Sequence, residues 1–328
     1  MTTPRIFRSL EAASGCFGPS VLSIGNFDGV HAGHRQILRR VVTLARERGW
    51  KPSAMTFDPH PVRVVAPARA TRLLTTPDER AVLMAEEGIE QVLILPFTEQ
   101  VSRLEPEEFV RDILVARLGA RAVLVGANFR FGHKHAGDTR RLDELGRTFG
   151  FSTIVIPSVR LRGRMISSTA VRKLIESGEV AKAARLLVRP YALQGEVVPG
   201  RGVGSTQTVP TLNLRTPAEV LPAAGVYVTR TSDLDDGRTW PSVTNVGFRP
   251  TFEGSGLTVE SYLLEEIGAA APRRIRVEFF LRLREERKFP SAESLKAQIL
   301  RDAGRARRYF GRIRRLDCYT RKEPYLNP

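Results

Sequence analysis

Apolar positions in the first half of the chain come in short runs separated by amphipathic stretches. Residues 20–27, 53–57, 91–97, 120–129 and 152–157 are apolar and often β-branched, which predicts strands. Between the first two, Ile37, Leu38, Val41, Leu44 and Ala45 recur at a 3.6-residue period, which predicts a helix over 35–47. Residues 107–118 open on acids, as the helix dipole favours, and stop at Gly119. This βαβα alternation predicts a Rossmann-like parallel sheet with helices on both faces. After Leu187 the rhythm changes to short strands at 191–198, 226–231, 240–246, 258–264 and 274–283, punctuated by Gly and Pro. A helix over 291–310 closes the chain, and the pattern predicts an antiparallel β-barrel with a C-terminal helix. The change follows a small helical segment at 179–187, so the expected domains are 1–186 and 187–328.

Composition sharpens this picture in three ways. The 328 residues suit two domains of roughly 150 each. With 42% hydrophobic and 26% charged residues, global disorder is excluded. No apolar run approaches a membrane span, the start lacks a leader's apolar stretch, and Cys16 and Cys318 make neither a disulfide framework nor a zinc site; the expectation is a cytoplasmic protein with no membrane partner.

The net charge of +16 suggests a polyanionic partner. One cluster stands out: Arg301, Arg305, Arg307, Arg308, Arg312, Arg314 and Arg315. A solvated helix face explains it better than nucleic acid, because no aromatic series is interleaved for base stacking. All five histidines, His31, His34, His60, His133 and His135, lie in the first half. Acid–base chemistry in the second half therefore falls to carboxylates, hydroxyls or a metal.

The chemistry-bearing segment of the first half is Gly25-Asn26-Phe27-Asp28-Gly29-Val30-His31-Ala32-Gly33-His34, between a strand and a helix. Glycines let backbone approach a phosphate, and a helix N-terminus offers free N–H donors. Two histidines three apart reach the same side of the first turn. An incidental glycine turn is the weaker reading for the whole H-x-G-H. A second element is Ile166-Ser167-Ser168-Thr169-Ala170-Val171-Arg172, whose hydroxyls suit either helix capping or phosphate binding.

Together with Thr56-Phe57-Asp58-Pro59-His60-Pro61 and Gly126-Ala127-Asn128-Phe129-Arg130-Phe131-Gly132, these motifs resemble the FMN adenylyltransferase module of the bifunctional prokaryotic riboflavin kinase/FAD synthetases. The resemblance implies that His31 and His34 are catalytic and contact the ATP phosphates. It implies that Gly25, Phe27, Asp28, Gly33, Asn128, Ser168, Thr169 and Arg172 bind ATP. Phe57, Pro59, His60, Pro61 and Phe131 would flank the flavin, with His60 as well suited to packing as to catalysis. His133 and His135 are expected on the surface. Many relatives carry Asp where Asn128 stands.

In the second half, Thr211 and Asn213 stand two apart in extended chain and point the same way, which suits a Mg²⁺ ion shared with phosphates. The preceding glycine run, with Gly200 and Gly204, offers backbone N–H groups to phosphates, although a plain turn and strand start is the stronger reading from these residues alone. Gly195 to Asn213, Asn245 to Phe252 and Val259 to Tyr262 resemble the riboflavin kinase module in order and spacing. That resemblance makes Thr211 and Asn213 the holders of Mg²⁺–ATP and Glu260 the general base, with Glu278 a structural carboxylate. The chain departs from the family at Gly204-Ser205, at Thr208-Val209-Pro210-Thr211-Leu212-Asn213 and at Ala269-Ala270-Ala271-Pro272. The implied activity is phosphorylation of riboflavin to FMN and adenylylation of FMN to FAD, with ATP as substrate twice. An adenylyltransferase with an impaired kinase half, and a basic nucleic-acid-binding protein, stand as alternatives.

Overall fold

The computed structural model describes residues 3–161, 163–199, 211–251, 254–268 and 270–320. The chain forms two compact units, Met1–Ala170 and Val171–Pro328.

The first unit carries a six-stranded sheet: β1 (Arg5–Phe7), β2 (Ser20–Ile24), β3 (Lys51–Asp58), β4 (Gln91–Pro96), β5 (Ala120–Gly126) and β6 (Ser152–Ile156). Their order is β1-β4-β3-β2-β5-β6, and every pair is parallel. Period-two alternation splits the sheet's side chains between two cores. Leu22, Met55, Leu93 and Val123 join one, while Val21, Ala54, Val92 and Leu124 join the other, where Leu38, Val41 and Ala45 of the helix Ala32–Arg48 pack. Both faces are thus covered, as an all-parallel sheet requires.

Two predicted strands are shorter than their apolar runs. β2 stops at Ile24 because Phe27, Gly29 and Val30 all take positive φ (48°, 77° and 38°), which turns the chain sharply. β5 stops at Gly126, where Phe129 N–H bonds back to the Gly126 carbonyl at 3.0 Å. β1 has only three residues, too few to show a period. The helix expected at 107–118 starts at Pro106 and runs into a π-helical stretch, Phe109–Val115.

The second unit is a closed antiparallel barrel. After a small hairpin in the first unit (β7, Arg160–Leu161; β8, Arg164–Met165), its strands are β9 (Tyr191–Val198), β10 (Thr211–Arg215), β11 (Gly225–Asp233), β12 (Thr239–Thr251), β13 (Gly254–Leu263) and β14 (Arg274–Arg284). They close in the order β10-β13-β12-β11-β14-β9. The helix Val180–Leu187 packs on β9 and β14, and the helix Ala292–Thr320 packs on β11 and β12. Val226, Val228, Val243 and Tyr262 face the second of these helices and meet Ala303, Ala306, Tyr309 and Phe310.

The alternate positions turn into the barrel. There five fully buried hydroxyls close a ring: Thr229–Ser242 (2.8 Å), Ser242–Thr231 (2.9 Å), Thr231–Ser261 (2.6 Å), Ser261–Thr244 (3.2 Å) and Thr244–Thr229 (2.7 Å). A cyclic arrangement lets each hydroxyl donate once and accept once, so no buried donor is stranded.

The basic C-terminal cluster is partly absorbed by the barrel. Arg305 donates to the Leu283 carbonyl (3.2 Å) and Arg307 to the Leu264 carbonyl (3.4 Å), while Arg301 bonds Gln298 (2.9 Å). Among the described residues, no helix is long and apolar enough to cross a membrane.

Candidate active sites

In the first unit the chain runs from β2 outward to β3 and β4, then returns to place β5 on the other side of β2. The strand order reverses between β2 and β5. The crevice at their carboxyl ends is where open α/β sheets bind ligands. Gly25 leaves β2 there, and Gly126 ends β5 there.

His31 is the N-cap of the helix Ala32–Arg48. Its Nδ1 accepts the His34 N–H at 3.4 Å. A neutral imidazole that accepts at Nδ1 carries its proton on Nε2, so His31 presents an N–H donor at its far edge. The two rings stack at 3.7 Å and 13°. Gly33 permits this: a Cβ there would meet the His31 ring at 3.3 Å. Phe27, only 2% exposed, braces His34 edge-on at 5.3 Å. Burial holds the His34 imidazole well below the ordinary 6.5, and the charges of His31 and Arg80 add to the effect. His34 is therefore neutral at physiological pH, and its Nδ1 is buried without a hydrogen-bond partner among the described residues.

The other expected nucleotide residues divide by environment. The buried Asp28 carboxylate accepts the N–H groups of Leu74 (2.9 Å) and Thr75 (3.2 Å), so it binds the glycine loop to a neighbouring loop. Its carbonyl accepts Ser168 Oγ–H at 2.9 Å, which joins the two sequence motifs. Ser167 accepts the Ala170 N–H at 3.2 Å and so acts as a helix cap. Thr169 is exposed in the first turn of the helix Ser168–Glu176, and Arg172 follows one turn on. Asn128 is exposed just beyond β5.

Of the residues expected beside a flavin, Phe57 meets Phe97 edge-on at 5.5 Å, and Asp58, Pro59, His60 and Pro61 follow at the end of β3. His60 caps the short helix Pro61–Val65, its Nδ1 accepting the Val62 N–H at 3.3 Å. Phe131 is buried in the core, with Phe129 stacked on it at 5.5 Å and more exposed. His135 is exposed as expected, whereas His133 is half-buried, its Nδ1 3.2 Å from the Ser102 carbonyl.

Sequence reading passed over Arg80. It is fully buried under the glycine loop, and its Nη1 donates to the Asn26 carbonyl (2.8 Å) and to Thr56 Oγ1 (3.1 Å). Its signal is weak in sequence, because an arginine on an amphipathic helix reads as a solvated one.

In the second unit, β10 pairs with β13 so that Asn213 stands opposite Glu260 and Thr211 opposite Tyr262. On the other side of β13, Asn245 of β12 stands opposite Glu260. Cross-strand partners share a face, so Asn213, Glu260 and Asn245 form one row on the barrel's outer side. Leu212 and Leu214 turn the other way and are buried. Glu260 is half-buried, with Oε1 shielded from solvent. Gly247 lies close to the row, and a Cβ there would strike the Glu286 carboxylate at 2.2 Å. Asn245 and Glu286 are additions that only the register and packing reveal. Glu278 is held by Arg230 at 2.6 Å, as a structural carboxylate would be. Gly200 and Gly204, the departures at 204–205 and 208–210, and Ala269 lie outside the described residues.

The donors at Thr211 and Asn213 are a hydroxyl and an amide oxygen, the hard neutral ligands that Mg²⁺ accepts when phosphates complete its shell. Among the described residues no group of three His, Cys, Asp or Glu side chains is placed to hold a metal, so a cation here would depend on a nucleotide's phosphates.

The chain matches the FAD synthetase family over residues 15–170 and the riboflavin kinase family over residues 187–310. An Escherichia coli (strain K12) protein named bifunctional riboflavin kinase/FMN adenylyltransferase is 37% identical over 291 residues, covering 89% of this chain and 93% of the relative. A Pseudomonas fluorescens protein of the same name is 38% identical over 288 residues, covering 88% and 92%. The crystal structure of a Streptococcus pneumoniae protein described as a macrolide-efflux protein is similar with a TM-score of 0.82 at 26% identity, over 93% of this chain and 99% of that one. A crevice at the strand-order reversal of a parallel sheet, followed by a barrel with a carboxylate between two amides, is the arrangement those two family matches cover in the same order, and the chain belongs to the bifunctional riboflavin kinase/FMN adenylyltransferase family.

Proposed function

We propose that this chain makes FAD from riboflavin in two ATP-dependent steps, each carried by one unit. In the barrel unit the terminal ribityl hydroxyl of riboflavin attacks the γ-phosphorus of ATP. Glu260 takes the hydroxyl proton, the bond to the β–γ bridging oxygen breaks, and FMN and ADP leave. Thr211 and Asn213 hold the nucleotide's Mg²⁺, which when bound offsets the charge on the phosphates. Asn213 and Asn245 flank Glu260 and orient it. Gly200 and Gly204 are assigned to the phosphates.

In the sheet unit an FMN phosphate oxygen attacks the α-phosphorus of a second ATP. The α–β bridging bond breaks, and FAD and pyrophosphate leave. The attacking phosphate is already an anion, so no base is needed. The task of the protein is to stabilise charge, through the His31 Nε2–H, the neutral His34 and the N–H groups at the helix start. Gly25 and Gly33 allow close approach, while Phe27 and Asp28 hold the loop in shape. Asn128, Ser168, Thr169 and Arg172 complete the cradle. Phe57, Pro59, His60, Pro61 and Phe131, the last through Phe129, form the flavin wall. Residues 1–186 are assigned to the adenylyltransferase and 187–328 to the kinase. The use of ATP and riboflavin supports a cytoplasmic location.

The observation that carries the reading is the stacked His31–His34 pair, with His34 held neutral by burial, at the strand-order reversal of a chain that matches both family domains. The test is chromatography of riboflavin, FMN and FAD after incubating the purified protein with riboflavin, ATP and Mg²⁺. FMN and then FAD should form. Turnover only with added FMN would remove the kinase half of the proposal, and no FAD under either condition would remove the other half.

A further inference from the structure

Arg80 is placed where a buried charge is hardest to justify by packing. Its side chain is 0% exposed, and its hydrogen bonds all end on neutral oxygens: the Asn26 carbonyl (2.8 Å), Thr56 Oγ1 (3.1 Å) and the Thr76 carbonyl (3.4 Å). Nη2 is also buried and has no hydrogen-bond partner among the described residues. Burial disfavours this cation, and the charges of Asp28 and Asp58 offset that only in part, so an apolar residue of similar size would stabilise the fold as well or better. What the guanidinium does achieve is local. It draws the Asn26 carbonyl inward, and Thr56 Oγ1–H donates to the same oxygen at 3.1 Å. A trans peptide is planar, with its C=O and N–H pointing in opposite directions. Fixing the Asn26 oxygen toward Arg80 therefore turns the Phe27 N–H away from it. That N–H finds no hydrogen-bond partner among the described residues. Phe27 sits at φ 48°, a conformation that costs energy in a bulky residue and persists only where its surroundings impose it.

We propose that Arg80 is a positioning residue for adenylyl transfer: it locks the Asn26–Phe27 peptide so that the Phe27 N–H is presented to a nucleotide phosphate, and it sets a fixed positive charge behind the loop. This rests on assigning adenylylation to the His31–His34 crevice. A peptide free to flip would direct a carbonyl oxygen at the phosphate and remove one preorganised donor, which costs about 10²–10³ in rate in comparable anion holes.

The experiment compares Arg80→Met, Arg80→Lys and His34→Ala in the full-length protein, measuring adenylylation of FMN and phosphorylation of riboflavin in each preparation. Arg80→Met should lower kcat for adenylylation about 100-fold, with KM for FMN and ATP within about threefold and phosphorylation unchanged. Arg80→Lys keeps the charge and one donor and should stay within about tenfold of wild type. In protein labelled with ¹⁵N-phenylalanine, a non-hydrolysable ATP analogue should shift the Phe27 amide resonance in wild type and not in Arg80→Met. Retention of kcat within threefold by Arg80→Met, or a Phe27 amide indifferent to the analogue in wild type, would overturn the inference. Should Arg80→Met also lose phosphorylation, Arg80→Gln is read in its place by the same criteria. If His34→Ala leaves adenylylation intact, it is the crevice assignment that fails, and this inference with it.

Discussion

At the scale of single residues, the proposed function divides chemistry between imidazole in one unit and carboxylate in the other. Replacing His34 by Ala removes a preorganised group from the phosphate cradle and should slow adenylylation of FMN by about 10²–10³, while riboflavin phosphorylation survives. Glu260→Gln should do the reverse, lowering phosphorylation by about 10²–10⁴, the range for a general base. Steady-state assays of both reactions on each variant check the pair. His34 also makes a prediction about stability. Burial depresses its folded pKa below the ordinary 6.5, so below that pH the unfolded chain binds a proton that the native state refuses. Native stability should therefore fall as pH drops from 6.5, by up to about 1.4 kcal/mol per pH unit from this group. Urea melts between pH 7.5 and 5.5, on the order of two pH units, should show a steeper loss for wild type than for His34→Gln. Parallel curves would mean that His34 is not held neutral.

At the scale of elements, two substitutions separate stability from activity. Gly33 lies in the first turn of the helix Ala32–Arg48, where alanine gains about 1 kcal/mol in helix propensity. Its Cβ, however, would press on the His31 ring at 3.3 Å. Gly33→Ala should thus leave the melting temperature equal or higher and cut adenylylation about tenfold, a loss of the size that displacing one donor brings. In the barrel, Ser261 belongs to the ring of five hydroxyls, between Thr231 (2.6 Å) and Thr244 (3.2 Å). Ser261→Ala leaves both threonines short of a partner and should cost about 1–3 kcal/mol, read from the denaturation midpoint of the barrel unit. Adenylylation of FMN should not change.

At the scale of the whole molecule, the helix Val180–Leu187 decides where the chain can be cut. Val180, Ala183 and Leu187 are fully buried, and the helix packs on β9 and β14. A kinase fragment beginning at residue 171 keeps it, and one beginning at 187 does not. Val180 and Leu187 alone are worth about 3–6 kcal/mol of burial, so the longer fragment should melt higher and phosphorylate riboflavin. Equal melting temperatures would show that the helix does not stabilise the barrel. The net charge of +16 bears less on function than its size suggests, since Arg305 and Arg307 of the most basic helix bond backbone carbonyls of the barrel unit.

Most of the architecture was legible because its cause is local. Alternation at period two and recurrence at 3.6 residues reveal β2 to β6 and the helix Ala32–Arg48, and the loss of that rhythm after Leu187 reveals the barrel. Likewise His31, His34, Ser168, Thr211, Asn213 and Glu260 stand in contiguous motifs, so a family resemblance picks them out as candidates, while residue type and spacing alone single out only the His31–His34 pair. Other features depend on residues far apart in sequence. β1 is a strand only because β4 offers it an edge, and Asn245 joins Glu260 only through strand register. The neutrality of His34 comes from burial beside His31 and Arg80, and Phe131 lies behind Phe129 because both pack on a core formed elsewhere. Arg80, separated by 54 positions from the carbonyl it holds, reads in sequence as a solvated helix residue. Short-range patterning determines which elements form and which chemical groups they carry; burial, register and the orientation of individual peptides are set by long-range packing, which only the folded chain supplies.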